Sequence, residues 1–233
     1  MLLDWLKDLI GEIPTEAGID CGSCGMVAEG RFASNLKCCT FLPFIPNFQV
    51  SSLPRVDWRQ ADVSPLGFYA SREYQREFAR QGGARGFGRI LELACPFLDE
   101  AARCRIWSAR PSPCVGYHCR SARGAKGSAY WQAFESLMRF VEVNLSIECG
   151  LELGLTGEEV ELCLALLPGQ NLSVAAGPQE AHAEIFRRLD LGPPERWFLR
   201  AREWAGDMNP ADIRRRLGAE LELKIQDLVT MGW

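Results

Sequence analysis

Histidine is scarce in this chain, with two in 233 residues. A Cys–His catalytic pair has only His118 and His182 to draw on, and nothing in the sequence sets either as a base beside a particular thiol. Apolar runs of the roughly 20 residues needed to span a bilayer are absent. The opening "MLLDWLKDLIGEIP" has no basic stretch ahead of its leucines and no small-residue cleavage site, so it does not read as a secretory signal. The expectation is a cytoplasmic protein without a transmembrane segment. Positive charge is not in excess either: 26 Lys and Arg against 30 Asp and Glu give a formal net charge of -4. Bulk electrostatics gives no reason to expect nucleic acid or an anionic membrane as partner. The sequence has no GxxxxGK[ST], no strand-linked GxGxxG and no recognisable S-adenosylmethionine loop. The Gly-rich "GARGFG" at 83–88 lacks the lysine and the helix start of a phosphate loop. No internal repeat or low-complexity tract is present.

The chain does have ample core material. Hydrophobic residues make up 47% and charged residues 24%, typical of a globular chain of this size. Leu2, Leu3, Leu6, Leu9 and Ile10 fall at helical spacing and predict a short amphipathic helix that packs on the domain. The stretch "FLPFIPNFQVSSLPRVDWRQADVSPLGFYA" carries Pro43, Pro46, Pro54 and Pro65 and reads as irregular loop with short extended pieces. A helix follows in "SREYQREFARQ", with Ser71 as N-cap. "GFGRILELACPF" suits either a strand or a helical turn.

The second half is helical. Tyr130, Phe134, Leu137, Val141 and Leu145 recur at 3.6-residue spacing. Thr156 and Glu159 form a capping-box pattern, and Asn209-Pro210 with Asp212 marks another helix start. Between them, "GPQEAHAEIFRRLDLG" is a helix bounded by Gly177 and Gly192, with His182 on a polar face. The expected fold is mainly α with irregular loops. A cysteine-rich metal-binding region, 1–127, packs on an α-helical region, 128–233, the two forming one continuous domain or two.

Ten cysteines are the conspicuous abundance. Cys149 and Cys163 sit on helical patterns among Leu and Ile and are expected in the core. The other eight form two groups of four: Cys21, Cys24, Cys38 and Cys39, then Cys95, Cys104, Cys114 and Cys119. In a reducing compartment such grouping points to metal ligation rather than disulfides. Two thiol tetrads are the count of thiolate zinc sites or cubane iron–sulfur clusters. "CGSCG" has the form of a metal knuckle, with Gly22 and Gly25 placed to reach positive φ. A thioredoxin-like use of "CGSC" needs a preceding strand, and "EIPTEAGID" is not a convincing one. Cys38 and Cys39 face opposite sides if extended, or one site if in a turn. Arg103, Arg105, Arg110, Arg120, Arg123 and Lys126 interleave with or follow the second group, without an acidic residue between Ala101 and Gly127. Such cations offset thiolate charge and lower thiol pKa. His118, next to Cys119, is a candidate ligand or a donor to one.

The combination of CxxC, a CC pair and "CPFLDEAARCRIWSARPSPCVGYHC" resembles the YkgJ-like cysteine-cluster family, whose members are described as zinc- or iron-chelating domains. The resemblance covers about half the chain, from Cys21 to Cys119. It rests most on Cys95, Pro96, Phe97, Leu98, Cys104, Ile106, Arg110, Pro111, Cys114 and Cys119. The first spacing is longer than is common there, with thirteen residues between Cys24 and Cys38, and Trp107 and Val115 depart from the usual residues. The resemblance extends to the cysteine domain of flagellin lysine methylases. It thereby implies cluster-dependent protein modification as an alternative activity.

The sequence therefore predicts a metal-binding protein with Cys21, Cys24, Cys38, Cys39, Cys95, Cys104, Cys114 and Cys119 as ligands. The irregular spacings and basic surroundings lean toward an iron–sulfur cluster over zinc. Its role would be electron transfer or accessory work in maturation alongside another protein. A structural zinc scaffold for a partner is the remaining alternative.

Overall fold

Tyr130, Phe134, Leu137, Val141, Leu145 and Cys149 recur every three or four residues, and they are buried along one helix, Gly124–Glu152. Its 29 residues make a rod about 44 Å long. The computed structural model describes residues 2–16, 21–40, 42–54, 61–167, 178–190 and 193–233. Within these, ten α-helices and three short strands follow in the order α1 (Leu2–Ile10), α2 (Gly25–Ala28), β1 (Ile45–Pro46), α3 (Asn47–Val50), β2 (Ala61–Ser64), β3 (Gly67–Ala70), α4 (Arg72–Arg80), α5 (Ser112–Gly116), α6 (Gly124–Glu152), α7 (Gly157–Ala165), α8 (Pro178–Arg188), α9 (Pro194–Gly206) and α10 (Pro210–Met231). The fold is mainly α, as the periodicities predict. No helix among the described residues is long and apolar enough to cross a membrane.

Two apolar cores share the chain. The first gathers Leu2, Trp5, Leu6 and Leu9 of α1, the apolar stripe of α6, Ala201 and Ala205 of α9, and Ile213, Leu217, Leu221, Ile225 and Leu228 of α10. The N-terminal helix thus packs against the C-terminal one, with its apolar stripe inward. The α10 backbone breaks at Gly218, whose φ of 60° is open to glycine and strained for other residues. The second core holds Phe68 and Ala70 of β3, Tyr74 of α4, Val160 and Cys163 of α7, Ile185 and Phe186 of α8, and Trp197 and Phe198 of α9. Phe97 and Ile106 of the cysteine-rich stretch belong to this core as well. Cys149 and Cys163 are fully buried, as their helical settings imply.

The caps read from sequence form as expected. Ser71 accepts from Tyr74 N, Thr156 and Glu159 complete a capping box, and so do Asn209 and Asp212. "GFGRILELACPF" resolves as a 3₁₀ turn at Leu91–Leu93. Gly177 and Gly192, expected to bound α8, lie outside the described residues.

The short extended pieces expected in the proline-rich stretch are present, and one expectation, that for His182, is corrected. The proline-rich stretch forms an antiparallel sheet of order β1-β3-β2, with Val63 and Ile45 both opposite Phe68. The central strand β3 is buried at every position, so the alternation that marks a half-exposed strand is missing. Asn47 ties this sheet to α6, its Nδ2 donating to Pro65 O at 3.0 Å and Ser146 O at 3.1 Å, while Trp197 Nε1 donates to Pro65 O at 2.8 Å. His182, read as ordinary surface, is 1% exposed and lies edge-on to Tyr69. The polar residues around it on α8 masked a helix lying on β2. Burial lowers its pKa to about 4, so the ring is neutral.

Phe134 is fully buried in the first core. Phe134→Ala is expected to cost about 3–5 kcal/mol of unfolding free energy, read by urea denaturation.

Candidate metal centre

Little regular structure carries the eight candidate ligands. Cys21 and Cys24 flank a turn that runs into α2, where Val27 N donates to Cys24 O at 3.0 Å. Gly22 and Gly25 are not among the residues at positive φ, and Gly25 is instead the first residue of α2. The left-handed knuckle expected for "CGSCG" is therefore absent. Cys38 and Cys39 follow Lys37, itself at φ 54°, in a turn. Their side chains hydrogen-bond to each other. Both face one place rather than opposite sides, which selects the turn over the extended reading.

The second group is pinned onto the first. Cys95 N donates to Cys39 O at 2.9 Å. Tyr74 Oη, buried, lies 2.5 Å from Thr40 O and also contacts Leu93 O, bracketing the same junction. Cys104 pairs with Leu98 in a β-bridge closed by a tight loop. Asp99 organises that loop: its carboxylate accepts from Ala101 N at 2.9 Å and Arg103 N at 2.8 Å, which holds its pKa below the usual carboxylate value. The neighbours of these cysteines, Phe97 and Ile106, are 1% and 5% exposed and anchor the loop in the second core. Their backbone N–H groups in turn donate to the Cys95 and Cys104 thiols. Amide donors aimed at sulfur are the way a protein tunes thiolate ligands.

Cys114 stands on α5, which packs against α6 so closely that a side chain at Gly116 would strike Glu135. Glu142 of α6 caps α5 from the side. Ser112 N donates to its Oε1 at 2.8 Å, and the Ser112 hydroxyl lies 2.6 Å from Oε2. Burial raises the Glu142 pKa to about 8 against the Ser112 hydrogen bonds and Arg139.

The two groups meet electrostatically. Cys38 is the hub: a thiolate there would raise the pKa of Cys21, Cys95, Cys104, Cys114 and Cys119. The hydrogen bond to Cys39, followed by burial, raises the Cys38 pKa. Burial pushes Cys95 up to about 12 and also raises Cys21, Cys104, Cys114 and Cys119. Against this works Arg110, which lowers Cys21, Cys38, Cys104 and Cys114. Its guanidinium stacks 3.5 Å over Trp107, and its Nη1 donates to Cys114 O at 3.3 Å. Other arginines of the basic stretch are engaged elsewhere: Arg103 with Asp99, Arg120 with Glu29, and Arg123 over Trp233. His118 stacks on Trp131 with centroids 4.1 Å apart. Burial lowers its pKa while the nearby Glu16 carboxylate raises it.

All ten cysteines are free thiols. Among the described residues, no three His, Cys, Asp or Glu side chains stand close enough to form a metal site as placed. The eight cysteines are thus brought within electrostatic reach of one another but not to ligation distance. The donor set fits a thiolate-seeking metal in its chemistry: soft sulfur, amide donors at two sulfurs and one shared guanidinium. Sequence reasoning missed Tyr74, Glu142 and the Asp99 loop, whose roles depend on contacts across the fold. Comparison with family models, with curated proteins and with solved structures finds no match to this chain.

Glu142 predicts a pH dependence. Its pKa in the fold is raised from 4.5 to about 8, so its contribution is fully present below pH 4.5 and is lost as pH rises toward 8. Urea titrations across that range should show wild-type stability falling, and Glu142→Gln should flatten the slope. A variant with an unchanged slope would exclude this carboxyl as its source.

Proposed function

We propose that the chain is a cytoplasmic metal-binding protein of the YkgJ-like kind. Its metal is an iron–sulfur cluster in preference to zinc, held by thiolates drawn from Cys21, Cys24, Cys38, Cys39, Cys95, Cys104, Cys114 and Cys119. One observation carries this reading. Eight thiols from four separate stretches share one electrostatic neighbourhood, and none is spent in a disulfide. Gathering that many free thiols, seven half-buried and one exposed, has no packing advantage over apolar side chains.

The chain's own residues have definable parts. The amides of Phe97 and Ile106 donate to sulfur, and Arg110 offsets thiolate charge for four cysteines. Asp99 and Glu142 hold the loops that carry Cys104 and Cys114. A cluster would supply one-electron chemistry, which suits electron transfer or accessory work in maturation with another protein.

Purification without oxygen should give a brown protein containing iron and acid-labile sulfide. Cys114→Ser and Cys119→Ser should each lower the metal content, and Cys149→Ser should leave it unchanged. Stoichiometric zinc without colour would select the scaffold reading. Fully titratable thiols with no metal would sink both.

A further inference from the structure

The Gly-rich "GARGFG" stretch, which fails as a phosphate loop by its missing lysine, forms one wall of a cleft. That cleft has a volume of about 440 Å³, within the range of small-molecule sites. Arg85 and Arg89 project from this wall, and Arg31 stands on the wall opposite, in the loop after α2. Phe32, Phe87 and Tyr117 line the space between, with Met26 beside them. Among the described residues no carboxylate lines it.

The walls are fixed to each other. Gly88 N donates to Thr40 Oγ1 at 2.6 Å, Ala33 N to Gly88 O at 2.7 Å, and Arg89 Nε to Arg31 O at 2.9 Å. Gly88 lies at φ 74° with Phe32 packed where a side chain would stand. Phe87 meets Phe32 and Tyr117 edge-on, at centroid distances of 5.8 and 5.6 Å. These contacts leave aromatic surface facing a rigid opening.

Charge is the second observation, since three arginines meet at one cleft. Elsewhere Arg80, Arg103, Arg120, Arg188, Arg214 and Arg216 each pair with a carboxylate. Among the described residues no carboxylate pairs with Arg31, Arg85 or Arg89, although the chain is net acidic. Three guanidinium groups around one cleft suit an anion, and their planar forks match phosphate oxygens. The aromatic rings suit a flat partner, held by stacking or edge contact. A 440 Å³ cleft is of small-molecule size.

We propose that this cleft binds a phosphorylated, ring-bearing ligand of the nucleotide class, with the phosphates on Arg31, Arg85 and Arg89 and the ring against Phe32, Phe87 and Tyr117. The cleft adjoins the thiols, since Cys38, Cys119 and Cys24 bear on Tyr117, but its arginines and the test below do not use the metal reading.

Calorimetric titration of the purified chain with ADP, inorganic diphosphate and adenosine tests it. ADP is expected to bind at least about tenfold more tightly than either fragment. Arg31→Ser combined with Arg85→Ser should weaken ADP by about tenfold or more, with an unchanged thermal melt because both side chains are exposed and neither ties the walls together. Phe87→Leu should weaken ADP and leave diphosphate binding as it was. Absence of ADP binding at about 1 mM overturns the proposal. So do diphosphate binding as tight as ADP, an indifferent arginine double variant, and a Glu-rich peptide that binds where ADP does not.

Discussion

Burial of helix α6 is the contact on which the other elements depend. Its apolar stripe from Tyr130 to Cys149 is the spine of the first core, and α1, α9 and α10 close over it. The same helix reaches outside that core at three polar points. Glu142 caps α5, the Ser146 carbonyl holds Asn47, and Glu152 accepts from Trp204 and Arg216. A helix of this length has hydrophobic burial enough to tolerate a carboxyl inside it, provided the carboxyl finds donors. Ser112 supplies them. The cost of the buried Glu142 is thereby converted into a fixed position for the cysteine of α5.

The cysteine-rich stretches have little secondary structure with which to position anything. They are held instead by single buried anchors: Phe97 and Ile106 in the second core, the Tyr74 hydroxyl between two carbonyls, and the Asp99 loop. Each anchor lies within a few residues of a thiol or a thiol-bearing turn. This arrangement explains why the thiols converge although four stretches separated by up to about a hundred residues contribute them. It also explains the role of Arg110. In a neighbourhood where burial raises nearly every thiol pKa, one guanidinium shared among four sulfurs counters the trend, and its stacking on Trp107 keeps it there without an acidic partner.

Helical elements were legible wherever one face is apolar and the other wet. The stripe of α6, the stripe of α1 and the caps at Ser71, Thr156 and Asn209 follow from local rules that neighbouring residues satisfy alone. The strands were less legible. β3 is buried throughout, so its pattern carries no period, and β1 is two residues long. His182 was misplaced for a similar reason: the face of α8 that meets β2 is marked by a histidine rather than by an apolar residue. Sequence grouped the eight cysteines and set Cys149 and Cys163 apart, because thiols in tight clusters and thiols at helical spacing are different patterns.

By itself, then, the sequence determined the longer helices, their caps and the division of the cysteines. Those features depend on side-chain spacing and on hydrogen bonds between residues three or four apart. Tertiary structure decided that Cys38 and Cys39 face the same way, that Cys95 is tied to Cys39, and that Glu142 supports Cys114 from 28 residues away. It also brought Arg31 opposite Arg85 and Arg89 across a cleft. The physical reason is common to all four: each depends on two backbones being packed side by side, and that packing is settled by core burial summed over the whole chain rather than by any local pattern.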